Sequence, residues 1–153
     1  MTTRVLVLIA TGKGAFILEG DADRRQFELK RPLSDGQPVN HVVPDPATGT
    51  LYAGGGDEWF GAAVWHSADL GQTWERHGDG LAYPEGLDEL KAVWSLARAH
   101  GRLYAGVEPA GLFVSDDDGK SWSHVAGLTD HPSRAEWMPG GGGLILHHIV
   151  AHH

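Results

Sequence analysis

Cysteine is absent from the 153 residues, which removes disulfides, thiolate nucleophiles and cysteine-based zinc sites from consideration. No block of lysine and arginine interrupts a chain of net charge −8. A surface that tracks phosphates is therefore not expected, and nucleic acid is set aside as a partner. Long apolar runs are missing as well. Val5 to Ala10 is too short to cross a bilayer, and it flows into Gly12-Lys13-Gly14 rather than a small-residue cleavage site. Neither a membrane span nor a signal peptide is expected, and the cytoplasm is the expected compartment. The chain also lacks Gly-x-Ser-x-Gly and His-Glu-x-x-His, and Gly12-Lys13-Gly14 has the spacing of a hairpin turn, not of a phosphate loop. No cofactor is called for. What is present, 41% hydrophobic residues over the length of one domain, describes a globular chain.

Self-similarity is the strongest signal. Gly49-Thr50-Leu51-Tyr52-Ala53-Gly54 is answered by Gly101-Arg102-Leu103-Tyr104-Ala105-Gly106. After each come a Gly-containing loop, a short apolar segment and an octet: Ser67-Ala68-Asp69-Leu70-Gly71-Gln72-Thr73-Trp74, then Ser115-Asp116-Asp117-Asp118-Gly119-Lys120-Ser121-Trp122. Asp69 and Asp117 are 48 residues apart, a little more than the ~40–45 residues of a four-stranded propeller blade. A decayed copy, Asp21-Ala22-Asp23-Arg24-Arg25-Gln26-Phe27, keeps the acid and the aromatic and loses the glycine. In each octet the aspartate can accept turn amides, the glycine can take positive φ, and Trp74 or Trp122 can bury a large ring as the chain returns.

The pattern Ser-x-Asp-x-Gly-x-Thr/Ser-Trp resembles the Asp-box, or BNR, repeat of the sialidase-like superfamily of β-propellers. The resemblance implies an all-β fold of four-stranded antiparallel blades. It also implies that Ser67, Asp69, Gly71, Trp74, Ser115, Asp117, Gly119 and Trp122 are structural, because the box lies on the face away from the active site. The likeness reaches bacterial BNR-type proteins labelled glycosyl hydrolase, over most of the sequence, and includes the segment from Asp130 to Gly143. A sialidase would bring an arginine cluster, a Tyr/Glu nucleophile pair and an acidic proton donor. Here the Phe/Tyr-Arg-Ile-Pro motif is missing, Arg134 is the one arginine placed on the ligand face, and Tyr83 has only Glu85 nearby. Sialidase activity is not expected; a glycosidase using paired carboxylates stays open.

Alternating apolar residues place strands at Arg4–Ala10, Gly14–Glu19 and Gln26–Lys30, at Val39–Pro44, Thr50–Gly55, Ala63–Ser67 and Thr73–His77, and at Val93–Arg98, Arg102–Val107, Gly111–Ser115 and Ser121–Val125. These divide residues 1–153 into about three blades, near 1–38, 39–92 and 93–143. The first lacks an inner strand, and Leu144 to Val150, within 144–153, reads as a spare one. Propellers have about four to eight blades. The ring is thus incomplete, either because this is an N-terminal portion of a longer chain or because two chains pair as a homodimer to complete a six-bladed ring.

The connections expected on one face are 31–40, 57–61, 77–91, 108–110 and 127–143. Aligning inner strands by repeat puts His41, Trp94 and His147 at the mouth of the channel. Around them the loops supply Glu58, Trp59, Tyr83, Glu108, Arg134, Glu136 and Trp137, a set suited to a carbohydrate or another small polar ligand. Glu108 and Glu136 are the candidate acid pair. A protein-binding scaffold on the same face is the third reading. No metal site is assigned, since neighbours in His147-His148 and His152-His153 would point to opposite sides of a strand.

Overall fold

The computed structural model describes residues 4–30 and 36–152. Residues 31–35 of the first expected loop and His153 lie outside the described residues. The fold is all-β: three antiparallel sheets, none of them closed. The first sheet holds β1 (Val5–Thr11), β2 (Gly14–Gly20) and β3 (Phe27–Leu29), in that spatial order. The second holds β4 (Val39–Pro44), β5 (Leu51–Asp57), β6 (Gly61–Ser67) and β7 (Glu75–His77). The third holds β8 (Ala92–Ala99), β9 (Arg102–Glu108), β10 (Gly111–Ser115) and β11 (Ser123–His124). A short helix, α1 (Ala126–Thr129), and a 3-10 turn, Pro132–Glu136, follow. None of the described helices is long and apolar enough to cross a membrane.

The sheets are stacked through their first strands. β4 packs against β1 on one side and β8 on the other, and β5 faces β8. β5 is therefore buried on both faces, and its glycines are sites of close approach. A side chain on Gly54 would meet Val93 Cγ1, and one on Gly55 would collide with the Pro38 carbonyl, which accepts the Gly56 N–H at 3.0 Å. Two apolar clusters fill the gaps between sheets. One joins Ala15 of β2 to Val39, Ala53, Ala63 and Trp65. The larger joins Tyr52 and Val64 to Val93, Leu96, Leu103, Val107, Phe113 and Trp122.

The octets form corners between the third and fourth strands, with the hydrogen bonds anticipated from their composition. Ser67 Oγ accepts the Gly71 N–H at 2.7 Å and donates to Asp69 Oδ1 at 2.7 Å; Asp69 in turn accepts the Thr73 N–H at 2.9 Å and its hydroxyl at 2.6 Å. The second corner repeats the set through Ser115, Gly119, Asp117 and Ser121. Gly71 and Gly119 both have φ of 85°, a left-handed backbone that suits glycine. Asp21 accepts the Arg25 N–H at 3.0 Å, so the decayed copy keeps the acid's role while Phe27 is left exposed. Each corner leans on the sheet before it. Gly71 lies against Ile17 of the first sheet, and Gly119 against Tyr52 of the second.

These bonds favour the ionised carboxylate. The Thr73 hydroxyl and amide, with Ser67, hold Asp69 down to about 2, and Ser121 with Ser115 does the same for Asp117. A carboxyl with a lowered folded-state pKa adds stability that is complete above its ordinary value of 3.8 and lost as pH falls towards about 2. Thermal melts are expected to show a drop in midpoint across that window, and the drop should shrink in the Asp69→Asn, Asp117→Asn double variant.

Three expectations are corrected. The outer strands, expected to span five residues each, are shorter, because Thr73, Trp74, Ser121 and Trp122 are committed to the corners. The segment 144–150 is not a strand. An inner strand is held by the strand that follows it in its hairpin, and the described residues supply none. Leu146 is nonetheless docked: its N–H donates to the Val107 carbonyl at 3.1 Å, its carbonyl accepts from Ser95 Oγ at 2.8 Å, and it covers Gly106 as Val93 covers Gly54. Finally, His41 is not the counterpart of Trp94. Bulges skip Asn40 in β4 and Trp94 in β8, so those two residues correspond and His41 matches Ser95. An alignment of these strands by repeat misses this because the turns that follow them differ in length, 44–51 against 99–102.

Candidate functional site

The register places Asp57 opposite Gly61 and Glu108 opposite Ala92. The 57–61, 78–91, 108–111 and 125–143 connections therefore gather at one edge of the stacked sheets, as expected, while the octet corners and the short 11–14, 44–51 and 99–102 turns occupy the other.

A cleft of about 550 Å³ opens at this edge between the 57–61 hairpin and residues 89–91. Asp57 Oδ1 accepts the N–H groups of Trp59 and Phe60, each at 2.9 Å, and thereby fixes a tight turn that thrusts both rings outward. Trp59 is 91% exposed and Phe60 53%. Across the cleft, Lys91 Nζ donates to Glu58 Oε1 at 3.0 Å, and this partnership raises the lysine's pKa. The lysine's backbone N–H is bonded to the Glu108 carbonyl at 2.8 Å, which sets Glu108 next to the cleft. There Trp94, freed from the ladder by its bulge, donates Nε1–H to Glu108 Oε2 at 2.9 Å.

His41 Nδ1 accepts the Leu96 N–H at 2.9 Å, which ties the second sheet to the third and leaves the ring proton on Nε2. Burial, reinforced by nearby His148, pushes its pKa below the ordinary value. The remaining candidates serve the loops. Arg134 donates to the Ala110 carbonyl at 2.6 Å and lies 5.4 Å from the Trp137 ring centre, while Tyr83 donates to the Pro109 carbonyl at 2.5 Å. Burial raises the Tyr83 hydroxyl to about 12. The arginine and tyrosine thus clamp the Glu108–Ala110 turn from two sides. Trp137 Nε1 is bonded to Ser133 Oγ at 2.9 Å. Glu136 is exposed and joins no hydrogen bond or ion pair among the described residues, and His147 is likewise exposed.

Phe60 and Lys91 were not among the residues singled out from sequence. The signal was available for Phe60, since Asp57-Glu58-Trp59-Phe60-Gly61 pairs a turn-forming acid with two rings that a five-residue connection has no core to receive. Comparison with protein-family models found no match, and no curated protein matches the sequence.

Proposed function

We propose that the three sheets are blades of an Asp-box, sialidase-like β-propeller and that the loop-rich edge binds a carbohydrate or a comparable small polar ligand. The observation that carries the reading is Trp59: a ring 91% exposed on a turn whose backbone is pinned by Asp57, beside a Glu58–Lys91 pair. With Phe60 beside it, 53% exposed, Trp59 makes a contiguous apolar patch, and such a patch rimmed by polar groups marks a contact site; a flat apolar face next to charged hydrogen-bonding groups suits a sugar ring. The blade reading draws on the matching octet corners and on the Val93–Gly54 and Leu146–Gly106 contacts, which recur from one sheet to the next. On this reading the blades fall near 1–38, 39–92 and 93–143, and Leu146 docks where the inner strand of a further blade would run. That blade belongs either to a longer chain or to a partner copy.

Arrays of immobilised glycans test the ligand class: carbohydrate binding predicts selective retention, and its absence alongside capture of a defined protein favours the scaffold reading. The hydrolase reading assigns Glu108 a role with a second carboxylate such as Glu136. It predicts release of chromophore from an aryl glycoside that Glu108→Gln or Glu136→Gln abolishes, and turnover unchanged by both substitutions removes that assignment.

A further inference from the structure

The outer strands of the second sheet carry a group of donors that the loop-rich edge does not use. β6 and β7 pair with His66 opposite Glu75 and Val64 opposite His77. Because strand side chains alternate, His66, Glu75 and His77 emerge on one face. Glu75 Oε2 lies 3.7 Å from His66 Nε2 and 3.6 Å from His77 Nε2, and one donor atom from each residue falls within 4.8 Å of the others. Zinc bound tetrahedrally at about 2.0–2.2 Å holds its ligand atoms roughly 3.3–3.6 Å apart. The separations to Glu75 need only small side-chain motions to meet that requirement.

Two further observations point the same way. His77 Nε2 is buried without a hydrogen-bond partner although it faces the carboxylate, and a buried polar atom left unpaired calls for a cause. The two imidazoles stack with centroids 4.5 Å apart, a contact that two cations would oppose and two neutral rings allow.

We propose that His66, Glu75 and His77 form a binding site for a divalent transition-metal ion, zinc in the first instance, with a fourth position open to water or an exogenous ligand. Two imidazoles and one carboxylate are a donor set zinc accepts, and both strands sit in one hydrogen-bonded sheet that fixes their spacing.

Calorimetric titration of zinc into the metal-free full chain is expected to show one ion bound per chain and a rise in thermal midpoint. Cobalt in its place should give the visible bands of a tetrahedral nitrogen and oxygen site. Removing a residue that merely orients a ligand costs tenfold or more in affinity, so Glu75→Gln and His77→Gln should each weaken zinc by at least about tenfold. Glu75 is exposed, so its replacement leaves the metal-free fold intact and separates lost binding from lost folding. Replacing His147, His148, His152 and His153 by glutamine should leave the affinity unchanged. Absence of stoichiometric zinc binding overturns the site, as does wild-type affinity in Glu75→Gln and His77→Gln, or binding that disappears with the C-terminal histidines.

Discussion

Trp122→Ala is expected to lower the free energy of unfolding by about 3–5 kcal/mol, a large fraction of the ~5–15 kcal/mol available to a domain of this kind. The ring is 5% exposed and lies in the cluster shared by Tyr52 and Val64 of the second sheet and Val93, Leu103 and Phe113 of the third. Its removal therefore opens a cavity between sheets, not a dent in one of them. The ring N–H, bonded to the Gly119 carbonyl at 3.1 Å, is lost with it, and the corner loses a tie. The other two octets provide a graded comparison. Trp74 is only partly buried against the smaller cluster and should cost less, while Phe27, 44% exposed, should cost within about 0.5 kcal/mol. Urea denaturation of the three alanine variants checks the order, and equal costs at Trp122 and Phe27 would contradict the role assigned to the corner.

Trp59→Ala is expected to leave stability unchanged and to remove about 1–3 kcal/mol of ligand affinity, roughly 5- to 150-fold. The two effects separate because the turn is held by Asp57 through the backbone N–H groups of residues 59 and 60, which alanine retains. Trp59 is 91% exposed, so the fold loses little burial. Calorimetric titration with whichever saccharide the glycan array selects measures the loss. Lys91→Met and Glu58→Gln should each weaken the same ligand by a smaller factor, since an exposed ion pair contributes little by itself. Unaltered affinity in Trp59→Ala would move the site away from the 57–61 hairpin.

Much of the architecture was legible because it is written in local chemistry. A serine, an aspartate and a glycine at fixed offsets dictate a corner whatever surrounds it, so both corners and the boundaries of β4 and β10 were readable from residue types alone. Features that depend on cross-strand register were not. The bulge that frees Trp94 for Glu108 leaves no mark in composition. The turns 44–51 and 99–102 differ in length, and an alignment of repeats displaced His41 by one position as a result. Arg134 looked like an anion-binding residue because its charge is visible in sequence, whereas the Ala110 carbonyl it contacts is not. The His66, Glu75 and His77 group escaped for the same reason: the residues span twelve positions and converge only when β6 pairs with β7. The more conspicuous histidine pairs at the C-terminus drew attention instead.

Each octet corner seats its sheet against the one before, and nuclear Overhauser contacts measure that seating directly. The Ile17 δ1 methyl should show contacts to the Gly71 α protons, and the Tyr52 ring to those of Gly119. Both sets observed in the folded chain are the predicted result. If the Gly71 and Gly119 protons show contacts only within their own hairpins, the stacking of the sheets is wrong, and the common loop-rich edge goes with it.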